Sequence, residues 1–110
     1  MENRINRQMD LKVEVAYEEG NPYVNLSGEM DVYTSPRVKQ AALNLIAEGK
    51  HHLIFDLTRV DYIDTAGLGV LVGILKRARE VGGNVELCYS DQVKKVFEIT
   101  GLDKIFIIRE

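Results

Sequence analysis

The stretch VDYIDTAGLG at residues 60–69 follows closely on the apolar run LIFDL at residues 53–57. A short apolar run with a single polar interruption is typical of a central strand that is covered on both faces. The segment that follows it shows the spacing of apolar residues expected of a helix. The sequence therefore predicts that a strand ends, the chain turns, and a helix begins next to Thr65.

Thr65 places a hydroxyl beside the carboxylate of Asp64 at this predicted helix start. Side chains there lie near unpaired backbone N–H groups and the positive end of the helix dipole. A phosphoryl group on Thr65 would be held well and would change the charge and bulk of the surface. Two interpretations stay open from these residues alone. The site is a phosphorylation switch, or it is an ordinary N-cap, for which Thr and Asp are both favoured.

Two glycines, Gly67 and Gly69, fall in the first turn of this helix. Glycine in a helix is less favourable than alanine by up to about 1 kcal/mol. Two glycines so close together therefore predict that another group approaches the helix closely. That group is a neighbouring strand or a partner protein, and the sequence leaves both open.

The segment before this junction predicts two strands and a helix. Apolar residues alternate over Leu11–Tyr17 and again over Tyr23–Leu26, with the turn-forming sequence EEGNP between them. This pattern indicates an antiparallel hairpin. Ser35 followed by Pro36 predicts a helix with Ser35 as its N-cap, and Gly49 marks its end.

The segment after the junction continues the alternation of helices and strands. The helix is predicted over Ala66–Val81, and a strand over Val85–Tyr89. Ser90 is placed to cap a further helix that Gly101 closes, and the apolar segment Ile105–Ile108 is expected to be a short edge strand or a packed tail. The order β-β-α-β-α-β-α predicts an α/β fold: a mixed β-sheet with helices packed on it.

The composition of the 110 residues is that of an ordinary globular protein, with 45% hydrophobic and 28% charged residues. We expect one domain over residues 11–110, preceded by a flexible lead-in at residues 1–10. The net charge of −3 gives no basic face for nucleic acid. No apolar run approaches the roughly 18–20 residues that span a membrane, and no signal peptide is evident. Cys88 is the only cysteine, is more typical of a core than of a nucleophile, and suits a cytoplasmic protein.

Patterns typical of enzymes are weak in this sequence. His51 and His52 are adjacent, are expected to be exposed, and belong to no Ser/His/Asp arrangement. Zinc spacing, a phosphate-binding loop and a dinucleotide fingerprint are all missing. Asp31, Asp61 and Asp64 could hold a divalent ion if the fold brought them together. The sequence therefore predicts no cofactor and no catalytic activity.

Two motifs resemble segments of the bacterial anti-sigma-factor antagonists, which are small stand-alone STAS domains. The sequence DTAGLG at residues 64–69 resembles the family's Asp-Ser-(Ser/Thr/Ala)-Gly-Leu-Gly motif. The sequence GEMDVYTSP at residues 28–36 is similar to the family's Gly-(Glu/Asp)-(Leu/Ile)-Asp segment, which leads into the first helix. The order of elements agrees from about Leu11 to Ile108. One departure is Thr65, because the family usually has Ser at this acceptor position.

The resemblance implies a binding module controlled by phosphorylation. The unphosphorylated form would bind an anti-sigma factor that is also a serine/threonine kinase, and so free a sigma factor for transcription. That kinase would use ATP to phosphorylate Thr65, and a metal-dependent phosphatase would reset the switch. The residues placed on the partner-binding surface are Asp31, Tyr33, Thr34, Asp64, Thr65, Gly67 and Leu68.

Two alternatives from other classes stay open at this stage. One is a STAS domain that serves as a structural or regulatory subunit of a stress-signalling scaffold or of a membrane transport complex. The other is a small enzyme or nucleotide-binding protein, since a fold by itself specifies no chemistry. The identity of the binding partner separates all three.

Overall fold

The computed structural model describes residues 11–109, which form five strands, three α-helices and one short 3-10 helix. The lead-in expected at residues 1–10 lies outside the described residues. In chain order, the elements are β1 (Leu11–Glu18), β2 (Asn21–Met30), α1 (Ser35–Ala47), β3 (His52–Ile63), α2 (Thr65–Glu80), β4 (Asn84–Tyr89), α3 (Asp91–Thr100), the 3-10 helix (Leu102–Lys104) and β5 (Ile107–Ile108).

The five strands form one mixed sheet in the order β1-β2-β3-β4-β5. β1 and β2 are antiparallel and are joined by a two-residue turn, in which Glu19 and Gly20 have φ angles of 53° and 85°. Positive φ at both positions is typical of the tight hairpin turns that match strand twist. The other three pairs of neighbouring strands are parallel. The predicted α/β fold with a mixed sheet is confirmed.

All three helices pack on one face of the sheet. Successive parallel strands are neighbours, and right-handed crossovers between neighbours place every connecting helix on the same side. One buried cluster contains Val38 of α1, Leu71 of α2 and Phe97 of α3, together with the paired strand residues Phe55 and Leu87. Burying this apolar surface is the main driving force for the fold. None of the helices in this part of the chain is long and apolar enough to cross a membrane.

β3 continues past its predicted end at Leu57 and runs to Ile63, so the predicted turn between this strand and the helix is wrong. Its second half pairs with the end of β2, with Gly28 opposite Val60 and Met30 opposite Ile63. The pairing is irregular here, and Gly28 has a φ angle of 115°, which glycine adopts most readily. Polar residues interrupt the apolar run after Leu57, so long-range pairing rather than the local pattern sets this end.

The start of α1 also differs from the prediction. Ser35 is the first residue of the helix rather than its N-cap, and Thr34 takes the cap position without a side-chain cap hydrogen bond. The Ser35 hydroxyl instead donates to the backbone oxygen of Asp31. The preceding loop, rather than a capping serine, therefore fixes where this helix begins.

Candidate functional site

The predicted site residues lie where β2 and β3 end side by side. The backbone N–H of Asp64 donates to the carbonyl oxygen of Met30 at 3.1 Å, which ties the end of one strand to the end of the other. The loop at residues 31–34 leaves β2 at this point, and α2 begins one residue after β3. The tertiary fold thus brings together two motifs that are about thirty residues apart in the sequence.

Asp64 is the N-cap of α2. Its backbone is extended, and its side-chain Oδ1 accepts a hydrogen bond of 3.0 Å from the backbone N–H of Gly67. Its carbonyl oxygen accepts a bond of 2.9 Å from the N–H of Leu68, as expected of a cap residue. The helix accordingly begins at Thr65, one residue before the predicted start. The capping function that the sequence left open between two residues belongs to Asp64.

Thr65 is the first residue of α2, and its side chain is exposed. Within residues 11–109, its hydroxyl makes no hydrogen bond that would tie it to the fold. The first backbone N–H groups of a helix have no partner in the helix, and the dipole there favours an anion. The hydroxyl is therefore accessible from solvent, and a phosphate attached to it would lie at the positive end of α2.

Asp31 and Thr34 hold the loop between β2 and α1 in place. Both are buried, with 7% and 2% of their surface exposed. Asp31 Oδ1 accepts from the backbone N–H of Tyr33 at 2.9 Å and of Thr34 at 3.0 Å. The Thr34 hydroxyl accepts from the Asp31 N–H at 2.9 Å and donates to the carbonyl oxygen of Glu29 at 2.7 Å. Both residues thus support the loop from within, so their part in partner binding would be indirect.

The same loop presents large apolar side chains to solvent. Val32 is 60% exposed and Tyr33 is 67% exposed, and Tyr62, which pairs with Glu29 at the adjacent end of β3, is 51% exposed. Aromatic residues are enriched in protein interfaces relative to the rest of the surface. The sequence identified Tyr33 but missed the other two. The exposure of Tyr62 at a strand end could not be predicted, because the segment between Leu57 and the helix was predicted to be a turn.

Gly67 and Leu68 are buried beneath this surface. A Cβ atom on Gly67 would lie 2.9 Å from Ile63 Cγ1 and 3.0 Å from the carbonyl oxygen of Met30. The groups that approach the helix at Gly67 are therefore the ends of β2 and β3. A Cβ atom on Gly69 would meet nothing within 4 Å, so the fold itself gives no packing reason for that glycine.

We expect Gly67→Ala and Gly69→Ala to change stability in opposite directions. The new methyl of Gly67→Ala meets backbone that cannot yield, and overpacking of this kind costs about 1–3 kcal/mol. Gly69→Ala adds a methyl in open space and gains up to about 1 kcal/mol of helix propensity. Thermal melts should show a lower Tm for the first variant and a higher Tm for the second. Equal shifts in Tm would contradict the assignment of Gly67 to the strand contact.

The three aspartates considered for a divalent ion do not form a site. The Asp31 carboxylate accepts from backbone N–H groups of its own loop, and the Asp64 carboxylate accepts from the N–H of Gly67 in α2. Asp61 is exposed on β3. Among residues 11–109, no group of three or more His, Cys, Asp or Glu side chains is arranged to hold a metal ion.

A separate polar cluster lies on the sheet face opposite the helices. The Tyr23 hydroxyl donates to Asp56 Oδ2 at 2.8 Å and lies 3.7 Å from Cys88 Sγ. Burial and the hydrogen bond with Asp56 raise the pKa of Tyr23 well above its usual value. Burial also raises the pKa of Cys88, which is half-buried on this face rather than part of the main core. Burial acts to raise the pKa of Asp56, but hydrogen bonds from Thr58 and Tyr23 outweigh it and lower that pKa.

The histidine pair is partly engaged on the same face. His52 is half-buried rather than exposed, and its Nε2 lies 2.5 Å from Glu86 Oε2. This contact with His52 is the main reason that the pKa of Glu86 is lowered. Arg109, directly after β5, forms salt bridges with Glu86 of β4 at 3.1 Å and with Glu18 of β1 at 2.9 Å. These contacts join strands on the sheet face opposite the helices.

A mixed sheet with its helices on one face, and an exposed threonine at the helix start beside the loop from β2, define a small STAS-type domain. Residues 12–110 match the STAS domain family, and the chain belongs to this family. It is 37% identical over 101 residues to the anti-sigma-B factor antagonist of Bacillus subtilis, covering 91% of this chain and 92% of that one.

Solved structures show the same fold. An anti-sigma factor antagonist from Mycobacterium paratuberculosis superposes with a TM-score of 0.80 at 26% identity, covering 89% of this chain and 84% of that one. The Bacillus cell fate determinant SpoIIAA, solved in its phosphorylated form, superposes with a TM-score of 0.71 at 20% identity. The superposition covers 90% of this chain and 92% of that one.

Proposed function

We propose that this protein is an anti-sigma-factor antagonist, a binding module that phosphorylation of Thr65 switches off. The observation that carries the proposal is that different residues cap α2 and expose a hydroxyl at its start. Asp64 caps the helix, so the exposed hydroxyl of Thr65 is not needed by the fold. Relatives at 31–37% identity over most of the chain are named anti-sigma-B factor antagonists, which supports the same function here.

The unphosphorylated protein binds an anti-sigma factor and so frees a sigma factor for transcription. The surface that it offers combines the helix start at Thr65 with the exposed side chains of Val32, Tyr33 and Tyr62. Aromatic side chains at the centre of such a surface supply most of the binding energy in many interfaces. Asp31 and Thr34 contribute by fixing the loop that presents Val32 and Tyr33.

Phosphorylation reverses the binding by electrostatics. The anti-sigma factor is itself a serine/threonine kinase that transfers the γ-phosphoryl group of ATP to the Thr65 oxygen and releases ADP. The product carries roughly −1.5 to −2 additional charge at neutral pH, next to the carboxylate of Asp64. Unfavourable charges buried in an interface cost several kcal/mol, which corresponds to a loss of affinity of about a hundredfold or more.

The switch returns to its active state when a metal-dependent phosphatase hydrolyses the phosphothreonine. The protein itself catalyses neither step, needs no cofactor, and acts in the cytoplasm, where sigma factors meet RNA polymerase. SpoIIAA, which has the same fold, is solved in a phosphorylated form, so this fold accommodates a phosphate. We therefore expect phosphorylation to block the partner surface rather than to unfold the domain.

Affinity purification from the native cell tests the proposal. We expect the tagged protein to retain a partner with a kinase ATP-binding domain, and magnesium–ATP to release that partner from the wild type but not from Thr65→Ala. Release from both variants would show that ATP acts without phosphorylating Thr65. Recovery of large particles built from related domains, or of membrane transport subunits, would contradict the antagonist function and support the alternatives.

A further inference from the structure

A groove of about 390 Å³ runs between α1 and α2 on the exposed side of the helix pair. Its walls are apolar and include Leu43 of α1 and Val70 and Ile74 of α2. At the end of the groove near the start of α2 lies Ala66, the residue directly after Thr65. The groove is therefore continuous with the surface that the proposed function assigns to the anti-sigma factor.

Gly69 and Gly73 form the floor of this groove, one helical turn apart. A Cβ atom at either position would meet nothing within 4 Å, and both residues are exposed. Apart from proline, glycine is the least favourable residue in a helix interior. Gly67 differs, because it packs against the strand ends. The packing of the fold therefore does not require glycine at either position, although glycine is unfavourable there. Without side chains, the two residues keep the groove open.

The groove has a distinctive charge pattern. Residues 65–75 of α2 contain no charged side chain, although charged residues make up 28% of the whole chain. Among residues 11–109, Lys39 of α1 is the one charged residue that lines the groove. An apolar groove with a single cation on its wall suits an apolar side chain that is accompanied by a carboxylate.

We propose that this groove receives a segment of the anti-sigma factor, with an apolar side chain lying over Gly69 and Gly73 and a neighbouring carboxylate facing Lys39. The inference rests on the proposed function and extends it along α2. The small residues let the partner backbone approach the helix closely. A phosphate on Thr65 would lie at the end of the groove that contains Ala66 and would repel the partner's carboxylate, which couples phosphorylation to release.

Filling the groove tests the proposal without damaging the fold. The probe is the purified anti-sigma factor that the affinity experiment identifies, and its affinity is measured by calorimetry. Gly73→Leu should weaken binding by about tenfold or more, while its Tm stays at or above that of the wild type. Gly73→Ala should raise the Tm and weaken binding by a smaller factor. Lys39→Glu should weaken binding by about tenfold through charge repulsion.

Glu98→Leu is the matched control, since it adds the same side chain at an exposed position of α3 outside the groove. It should bind like the wild type. Normal affinity of folded Gly73→Leu and Gly73→Ala would overturn the groove proposal, while the proposed function would stand if Thr65→Asp still binds at least about tenfold more weakly than the wild type. If the wild type binds no anti-sigma factor, both the groove proposal and the proposed function are wrong.

Discussion

Replacing Thr65 with alanine should abolish phosphate incorporation when the protein is incubated with ATP and the kinase proposed above. Thr65 is exposed at the start of α2, whereas Thr34 and Ser35 are buried and hydrogen-bonded within their loop. The Thr58 hydroxyl is exposed but bonds to Asp56 Oδ1 at 2.6 Å. We therefore expect one phosphate per wild-type molecule and none in the variant, measured by intact mass and peptide mapping.

Two further variants make this result specific. Thr65→Ser should be phosphorylated at least as fast as the wild type, because removal of the methyl group frees rotation about χ1. Thr100→Ala should incorporate phosphate normally, since its hydroxyl already bonds to backbone oxygens of α3. Stoichiometric phosphorylation of Thr65→Ala would show that the acceptor lies elsewhere.

Thr65→Asp should bind the anti-sigma factor at least about tenfold more weakly than the wild type. The new carboxylate would lie next to Asp64 in the interface, where two like charges lose their solvent and repel each other. Aspartate is well tolerated in the first turn of a helix, so the free protein should remain folded. Isothermal titration calorimetry with the purified partner measures the change in affinity.

Thr65→Ala separates the effect of charge from the effect of the hydroxyl. It removes the acceptor without adding charge, so it should bind like the wild type. Thermal unfolding should place both variants within about 1 kcal/mol of wild-type stability. In Thr65→Asp, attraction to the helix end and repulsion from Asp64 roughly cancel in solvent, and Thr65→Ala changes only an exposed, uncharged side chain. Equal affinities of Thr65→Asp and Thr65→Ala for the partner would rule out charge as the basis of the switch.

The order of the helices and strands could be predicted from the sequence because its signals are local. Alternation of apolar residues marked β1 and β4, and helical spacing marked α1 and α2. Glycines at the predicted ends stopped the helices close to where the structure ends them. The boundary that moved furthest was the end of β3, which has no local signal and which pairing with the distant β2 extends to Ile63.

The candidate site was only partly predictable, for the same reason. The helix start at Thr65 follows from adjacent residues, so the sequence located it to within one position. The burial of Asp31 and Thr34 depends on how their loop folds back on itself. Periodic patterns of apolar residues predict helices and strands but not the conformation of such a loop. Tyr62 was missed because its exposure depends on β3 continuing to the edge of the sheet.

The sequence by itself thus determined the class of fold, the family resemblance and the position proposed for the switch, because each depends on residues close together in the chain. Only the tertiary structure decided what surrounds that position. It assigned the cap to Asp64, placed Met30 against Gly67, and left Gly69 and Gly73 open in a groove between two helices. The contact of Met30 with Gly67 and the groove between two helices need contacts between segments tens of residues apart, and strand register and helix packing set such contacts.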